Sequence, residues 1–219
     1  MPAPLRPSAS GPDAGALHLT FDDGPCRTWT PRTLRALADH DVQATFFVLG
    51  SAARRAPELV RAALAAGHRV ELHADEHVRH TERTRAEIAA DADRALATLD
   101  ALGASPRWWR TPWGVATADT RAVAAERGLE LVRWDADTHD WRGDAPATML
   151  AAVARDVPRG GVVLAHDALG PGARRDGCDA TVALVGLAAA WARARNLPLL
   201  ALPDPPAAVV RTRGMELAA

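Results

Sequence analysis

Leu17-His18-Leu19-Thr20-Phe21-Asp22-Asp23-Gly24-Pro25 is the stretch on which the reading of the fold turns. Leu17 to Thr20 reads as a short strand, and Asp22 and Asp23 follow it at once, ahead of a Gly-Pro turn. Adjacent acids are commonly no more than a solvated loop. Placed directly after an apolar strand, they point instead to a pocket at the strand's end. One of them is suited to bind a metal while the other stays free as a base.

The same grammar repeats along the chain. Thr30-Pro31 opens a helix, with Thr as N-cap and Pro where a missing N–H costs nothing; Leu34 and Leu37 face inward. Ala44 to Leu49 is the apolar run of a strand covered on both faces, and Gly50 ends it. A helix from about Pro57 to Ala66 stops at Gly67, and His68 to Leu72 is the next strand. Thr84-Arg85-Ala86-Glu87 is a capping box that starts a long helix with Ile88, Ala95 and Leu99 inside. Strands are predicted at 107–110, 129–134, 161–165 and 199–202, with helices at 118–127, 146–155 and 181–195 between them. About seven βα units without a linker predict one α/β domain with a parallel sheet, closed into a barrel or doubly wound. The first strand lacks the glycine-rich loop of a dinucleotide-binding fold.

Composition sets the bounds. With 219 residues, 48% hydrophobic and 24% charged, the chain buries a full core. A net charge of −1 gives no pull toward nucleic acid or anionic membrane, and every basic residue other than His is Arg. Cys26 and Cys178 are too few for a disulfide framework and read as small, partly buried side chains. Met1 to Ala16 has no apolar core of a leader peptide, and no stretch is long and apolar enough to span a bilayer, so a cytoplasmic location is expected. Residues 1–16 read as a flexible segment, 17–202 as the domain and 203–219 as a Pro-rich tail.

Unusual polar residues fall at one kind of place. Asp22 and Asp23 follow the first strand, and His73 and His77 the third. Arg110 ends the fourth, Asp137 and Asp140 follow the fifth, and His166 and Asp167 the sixth. In a parallel barrel these ends share one face. His73 and His77, four apart, meet on one face if they lie on a helical turn, and imidazole suits zinc and related metals. Arg110 is placed to keep one of the two acids ionised. His80 is expected to be a solvated histidine, and Trp108, Trp109 and Trp134 ordinary core.

These residues carry a family resemblance. Thr-Phe-Asp-Asp-Gly-Pro at 20–25, His73-Ala-Asp-Glu-His77, Arg110-Thr-Pro-Trp-Gly114, Asp137-Thr-His-Asp-Trp141 and Leu164-Ala-His166-Asp167 resemble, in order, the five motifs of the polysaccharide deacetylases (carbohydrate esterase family four, the NodB-homology domain). The resemblance implies a distorted (β/α) barrel of seven strands and a metal-dependent hydrolase that deacetylates an amide nitrogen. Asp23, His73 and His77 would bind a divalent ion, commonly zinc, with cobalt or nickel tolerated. Asp22 would be the base that takes a proton from the attacking water, oriented by Arg110. His166 would be the acid that protonates the leaving amine, tuned by Asp140. The Trp113 N–H would meet the oxyanion, and Trp141 and Leu164 would wall the acyl methyl.

Three departures stand out. Ala74 replaces a Ser or Thr that helps shape the loop between the histidines. Glu71 and Leu72 stand where Gly and Asn are common, so Glu71 is expected to alter the surroundings of the ligands. Trp113 stands where Tyr is usual. The expected substrate is an N-acylated amino sugar or glycan. The alternatives are a small N-acyl metabolite and, in another class, a non-catalytic relative that binds glycan.

Overall fold

The computed structural model describes residues 15–206; most of the two terminal segments singled out above lies outside them. Strand β1 (Leu17–Asp22) sits near the middle of a seven-stranded sheet. Its neighbours are β2 (Thr45–Leu49) and β7 (Gly161–His166), both parallel to it. Outward from β2 run β3 (Arg69–Ala74), β4 (Trp108–Trp109) and β5 (Glu130–Leu131); outward from β7 lies β6 (Ala136–Asp137). All pairings are parallel.

The two ends of that order, β5 and β6, are consecutive in sequence. The short link between them stays bonded to both edges: Val132 N–H donates to Trp109 O at 3.1 Å and Asp135 N–H to Val162 O at 2.8 Å. The sheet is therefore curled into a distorted, incompletely closed (β/α) barrel of seven strands in one domain. Around it lie α1 (Thr30–Asp39), α2 (Gly50–Arg55), α3 (Pro57–Ala65), α4 (Arg85–Ala101), α5 (Ala118–Glu126), α6 (Pro146–Asp156) and α7 (Asp179–Arg193). None of the described helices is long and apolar enough to cross a membrane.

Alternation along the strands decides what reaches the barrel's inside. Leu17, Leu19 and Phe21 of β1, Phe46 and Val48 of β2, Val70 and Leu72 of β3, and Val163 and Ala165 of β7 join the main core with the helices. Phe21 and Phe46 stack with centroids 5.3 Å apart. The intervening residues turn the other way. Phe47 and Val162 form a small second cluster with Val132 and Leu202, against which Trp108 and Trp134 pack. Above that plug, the last inward positions are Asp22, His73 and His166, and Asp22 and His166 are direct partners in the β1–β7 register.

Several expectations change at this level. The predicted strand 129–134 is cut to β5, and β6 is a separate strand that completes the seven. Residues 199–202 form no strand; Leu199 makes one bridge to Leu17, and Leu202 N–H bonds Thr45 Oγ1 at 2.9 Å. Helix α2, not anticipated after Gly50, fills the space before α3. The Thr84 capping box forms as expected, and Ile88, Ala95 and Leu99 are buried. Thr30 does not cap α1: its hydroxyl accepts the Cys26 N–H at 2.7 Å and donates to Asp167.

Candidate active site

Asp23, His73 and His77 come together, with one donor atom from each within 4.8 Å of the others. Asp23 Oδ1 lies 3.3 Å from Nε2 of both histidines. Asp23 has a left-handed backbone (φ 74°), a conformation a non-glycine residue rarely adopts. His73 arrives from the end of β3, where the register with β2 slips between Val48 and Leu49 and re-aims the strand. Its Nδ1 bonds Arg110 O at 2.6 Å, which leaves Nε2 for a ligand role. His77 sits in the loop after β3, so the four-residue spacing works through a strand end and a returning loop, not a helical turn.

That loop is held by carboxylates. Asp91 of α4 accepts the N–H groups of Asp75 (2.7 Å) and Glu76 (3.2 Å). Asp75 is gripped by Arg54 at 2.6 Å and Arg94 at 3.2 Å. These contacts shape the segment in which Ala74 lacks a hydroxyl. Glu71 turns away from the ligands: it pairs with Arg69 at 2.8 Å and accepts the N–H groups of Arg107 and Trp108 at 2.7 and 2.8 Å.

The donor set fits a divalent metal. Asp23 Oδ1 is buried and lacks a hydrogen-bond partner among the described residues, and Nε2 of both histidines faces it. Burial, helped by the charge of His73, lowers the His77 pKa to about 4, so its imidazole is neutral near pH 7 and keeps a lone pair. Burial alone would raise Asp23, but the His73 contact and the charges of His73, His166 and His77 outweigh it and hold the carboxyl at about 2. Burial would lower the His73 pKa, but the Asp23 contact and the charges of Asp22 and Asp23 outweigh it and raise it, so a cation entering between the two rings would displace the proton that His73 otherwise shares with Asp23. Two imidazoles and one carboxylate are a donor set suited to a divalent metal.

Asp22, next in the chain, belongs to another network. Arg110 Nη1 donates to Asp22 Oδ1 at 2.8 Å and to Thr20 Oγ1 at 2.6 Å. The guanidinium is fully buried, lies 4.1 Å from the Phe47 ring and donates Nη2 to Arg133 O at 3.2 Å.

Across the site, His166 Nδ1 bonds Asp140 Oδ1 at 2.7 Å, leaving Nε2 for the cavity. Asp140 Oδ2 accepts from His166 N–H (2.8 Å), Thr181 Oγ1 (2.7 Å) and Arg175 Nη1 (2.9 Å). Burial would lower the His166 pKa, yet the charge and bond of Asp140 raise it to about 9. Asp140 is pushed up by burial and pulled down further, to about 2, by His166, Arg175 and Thr181. Asp167, beside His166 in sequence, is fully buried against Thr30, and burial raises its pKa to about 7.

These groups open on a cavity of about 390 Å³ whose walls include Arg79, Trp113, Trp134, Asp137, Trp141 and Leu164. Trp113 has a left-handed backbone (φ 53°) and packs edge-on against His77 with centroids 4.1 Å apart. Asp137 Oδ1 accepts the His139 N–H at 2.7 Å.

Some sequence expectations need correction. Trp134 was taken for core and instead helps wall the cavity, while Trp109 is core and Trp108 half-buried. His80 stays out of the site, but it is buried, bonded to Thr120 at 3.0 Å and lowered by burial to a pKa of about 4, not solvated. Cys26 and Cys178 are free, half-buried and buried respectively. Sequence reasoning missed Arg79, Asp91, Arg175 and Thr181. They come from helices or irregular loops, where a single polar residue has no periodic or motif signal to mark it.

Comparisons with known proteins agree on one family. The polysaccharide deacetylase family profile matches residues 9–132. A chitooligosaccharide deacetylase of a Bradyrhizobium species is 37% identical over 171 residues, covering 76% of this chain and 77% of that protein. The peptidoglycan-N-acetylglucosamine deacetylase PgdA of Listeria monocytogenes is 37% identical over 152 residues, covering 69% of this chain and 32% of its own length. A family 4 carbohydrate esterase from Streptomyces lividans, solved with acetate, superposes with a TM-score of 0.76 at 32% identity over 84% of this chain and 91% of that one.

Proposed function

This chain belongs to the polysaccharide deacetylase family and is an N-deacetylase, and from that premise we propose that it removes an acetyl group from the amide nitrogen of an N-acetylated amino sugar or glycan. Asp22 serves as base and His166 as acid, beside a divalent cation held by Asp23, His73 and His77. One observation carries this reading. The Arg110-held carboxylate and the Asp140-held imidazole open on one cavity together with a three-donor set whose carboxylate oxygen has no other partner.

The cation, zinc foremost with cobalt or nickel as substitutes, supplies Lewis-acid polarisation of the amide carbonyl. The side chains do the rest. Asp22 accepts a proton from the attacking water at its carboxylate. Arg110 fixes that carboxylate through Oδ1 and, with Thr20, holds it at one orientation. His166 is protonated near neutral pH and delivers its Nε2 proton to the departing nitrogen, which cannot leave as an amide anion. The Trp113 N–H, on the cavity wall, is assigned to meet the developing oxyanion, an effect worth a few kcal/mol per donor in comparable sites. Trp141 and Leu164 wall the methyl of the acyl group.

Product release from chitin oligomers, peptidoglycan and small N-acetyl compounds, with the enzyme loaded with zinc, tests the substrate class. Turnover confined to the small compounds would remove the glycan reading. Asp22→Asn is expected to lower kcat by about a thousandfold while zinc binding persists. Unchanged turnover in that variant would remove Asp22 from the role of base.

A further inference from the structure

The arginines around the site are not equally occupied. Arg110 is neutralised by Asp22, and Arg175 by Asp140. In the loop bearing His77 and the elements behind it, Arg54 and Arg94 pair with Asp75, and Arg83 with Glu76 and Asp91. Arg79 makes no ion pair among the described residues, although it is half-buried on the cavity wall. It is nevertheless fixed in place: its guanidinium lies 4.1 Å from the centre of the Trp113 ring, and that ring rests edge-on against His77. A guanidinium lying on an aromatic face keeps its fork of donors free at the edges and its orientation set.

Two further arginines repeat the pattern on the cavity's other tryptophans. Arg133 lies 5.5 Å from the Trp134 ring and Arg174 lies 5.8 Å from the Trp141 ring. Both are exposed and neither pairs with a carboxylate among the described residues. Each of the cavity's tryptophans thus carries an arginine that no carboxylate pairs with among the described residues. The wall's own acids are otherwise engaged: Asp22 by Arg110, Asp23 by the histidines, Asp137 by the His139 N–H.

We propose that Arg79, stacked on Trp113 and backed by Arg133 and Arg174, recognises an anionic group, carboxylate or phosphate, on the N-acylated sugar whose amide the site hydrolyses. The inference rests on the deacetylase reading and narrows its substrate class from neutral to acidic amino sugars. A planar fork on the wall meets a carboxylate or a phosphate with two parallel hydrogen bonds, and the sugar's apolar face is left to the tryptophans.

The test compares kcat/KM of the zinc-loaded enzyme on three probes: neutral N-acetylchitotriose, N-acetylglucosamine 6-phosphate, and N-acetylglucosamine bearing a lactyl carboxylate on O3. The wild type is expected to favour at least one charged probe, and the better of the two names the anion. The charged-to-neutral ratio should fall about tenfold in Arg79→Gln, further in Arg79→Glu, and only partly in Arg79→Lys. It should also shrink as sodium chloride rises from about 0.05 to 0.5 M, which a merely structural arginine would not produce. Equal turnover of charged and neutral probes, or a preference that Arg79→Gln leaves intact, overturns the inference and leaves the deacetylase reading standing. No turnover of any probe overturns both.

Discussion

The two halves of the site are built on opposite principles. On the β6–β7 side, Asp140 spends both oxygens on named donors: His166 through its ring and its backbone, Arg175 and Thr181. On the β1–β3 side, Asp23 is held in a left-handed conformation, and its Oδ1, faced by Nε2 of His73 and His77, finds no hydrogen-bond partner within the described protein. Buried polar atoms are normally paired, so an unpaired carboxylate oxygen between two imidazole nitrogens suits a cation. The first half is a finished network that holds a proton. The second gathers three donor atoms that could hold a cation. The difference separates what the protein organises by itself from what it organises only when loaded.

The largest effects should come from the unfinished half. Chelation, or His73→Ala, is expected to cost roughly a thousandfold or more in turnover. Zinc at about a hundred times its Kd should stabilise the wild type by about 3 kcal/mol, read as a rise in Tm, and should stabilise His73→Ala far less. A zinc-induced shift of equal size in the two proteins would erase the distinction between the halves, because the ion would then be bound elsewhere.

The finished half should respond through pH. The raised His166 pKa means that the folded protein favours the protonated ring. Its contribution to stability is complete below the ordinary histidine value and is lost as pH climbs through about 9. The same proton would serve the proposed acid role, so turnover of the loaded enzyme should fall along an alkaline limb that lies below about 9, because a cation bound nearby disfavours the protonated ring. Asp140→Asn removes the charge that raises His166, so the limb moves to lower pH. A return to about 6.5 would cut turnover at pH 8 by roughly thirtyfold. A limb that stays put in Asp140→Asn would detach it from His166.

The sequence made the first half of this comparison harder to read than the second. Asp22 and Asp23 were visible because they interrupt an apolar strand, and His73, Arg110 and His166 because they end strands that parallel pairing aligns. The barrel followed from the alternation of elements, although its seventh strand is residues 136–137 and not 199–202. The late segment lies beside β1 with one bridge and no continuing ladder. Asp140 and His166 were found through their motifs, but the groups that complete them were not. Thr181 belongs to the first turn of α7, where a threonine reads as helix surface, and Arg175 to a loop with no periodicity. Trp134 reads as core at the end of a predicted strand; the turn of the chain between the sheet's two edges carries it to the cavity.

The smallest effect is the most discriminating within the finished half. Thr181→Val keeps the shape of the side chain and removes the hydroxyl that donates to Asp140 Oδ2 at 2.7 Å and accepts from Arg175 Nη1 at 2.5 Å. A loss of about 1 kcal/mol in stability is expected, measured by urea unfolding. The pH effect has a definite sign. The Thr181 bond helps hold the Asp140 carboxyl down at about 2, so losing it makes that carboxylate a stronger acceptor for the His166 proton. The alkaline limb should therefore shift upward by a few tenths of a unit, opposite to Asp140→Asn. If both variants moved the limb downward, Thr181 would be acting by positioning Asp140, and the bonds around that carboxylate would be a scaffold for His166 with no part in setting its proton affinity.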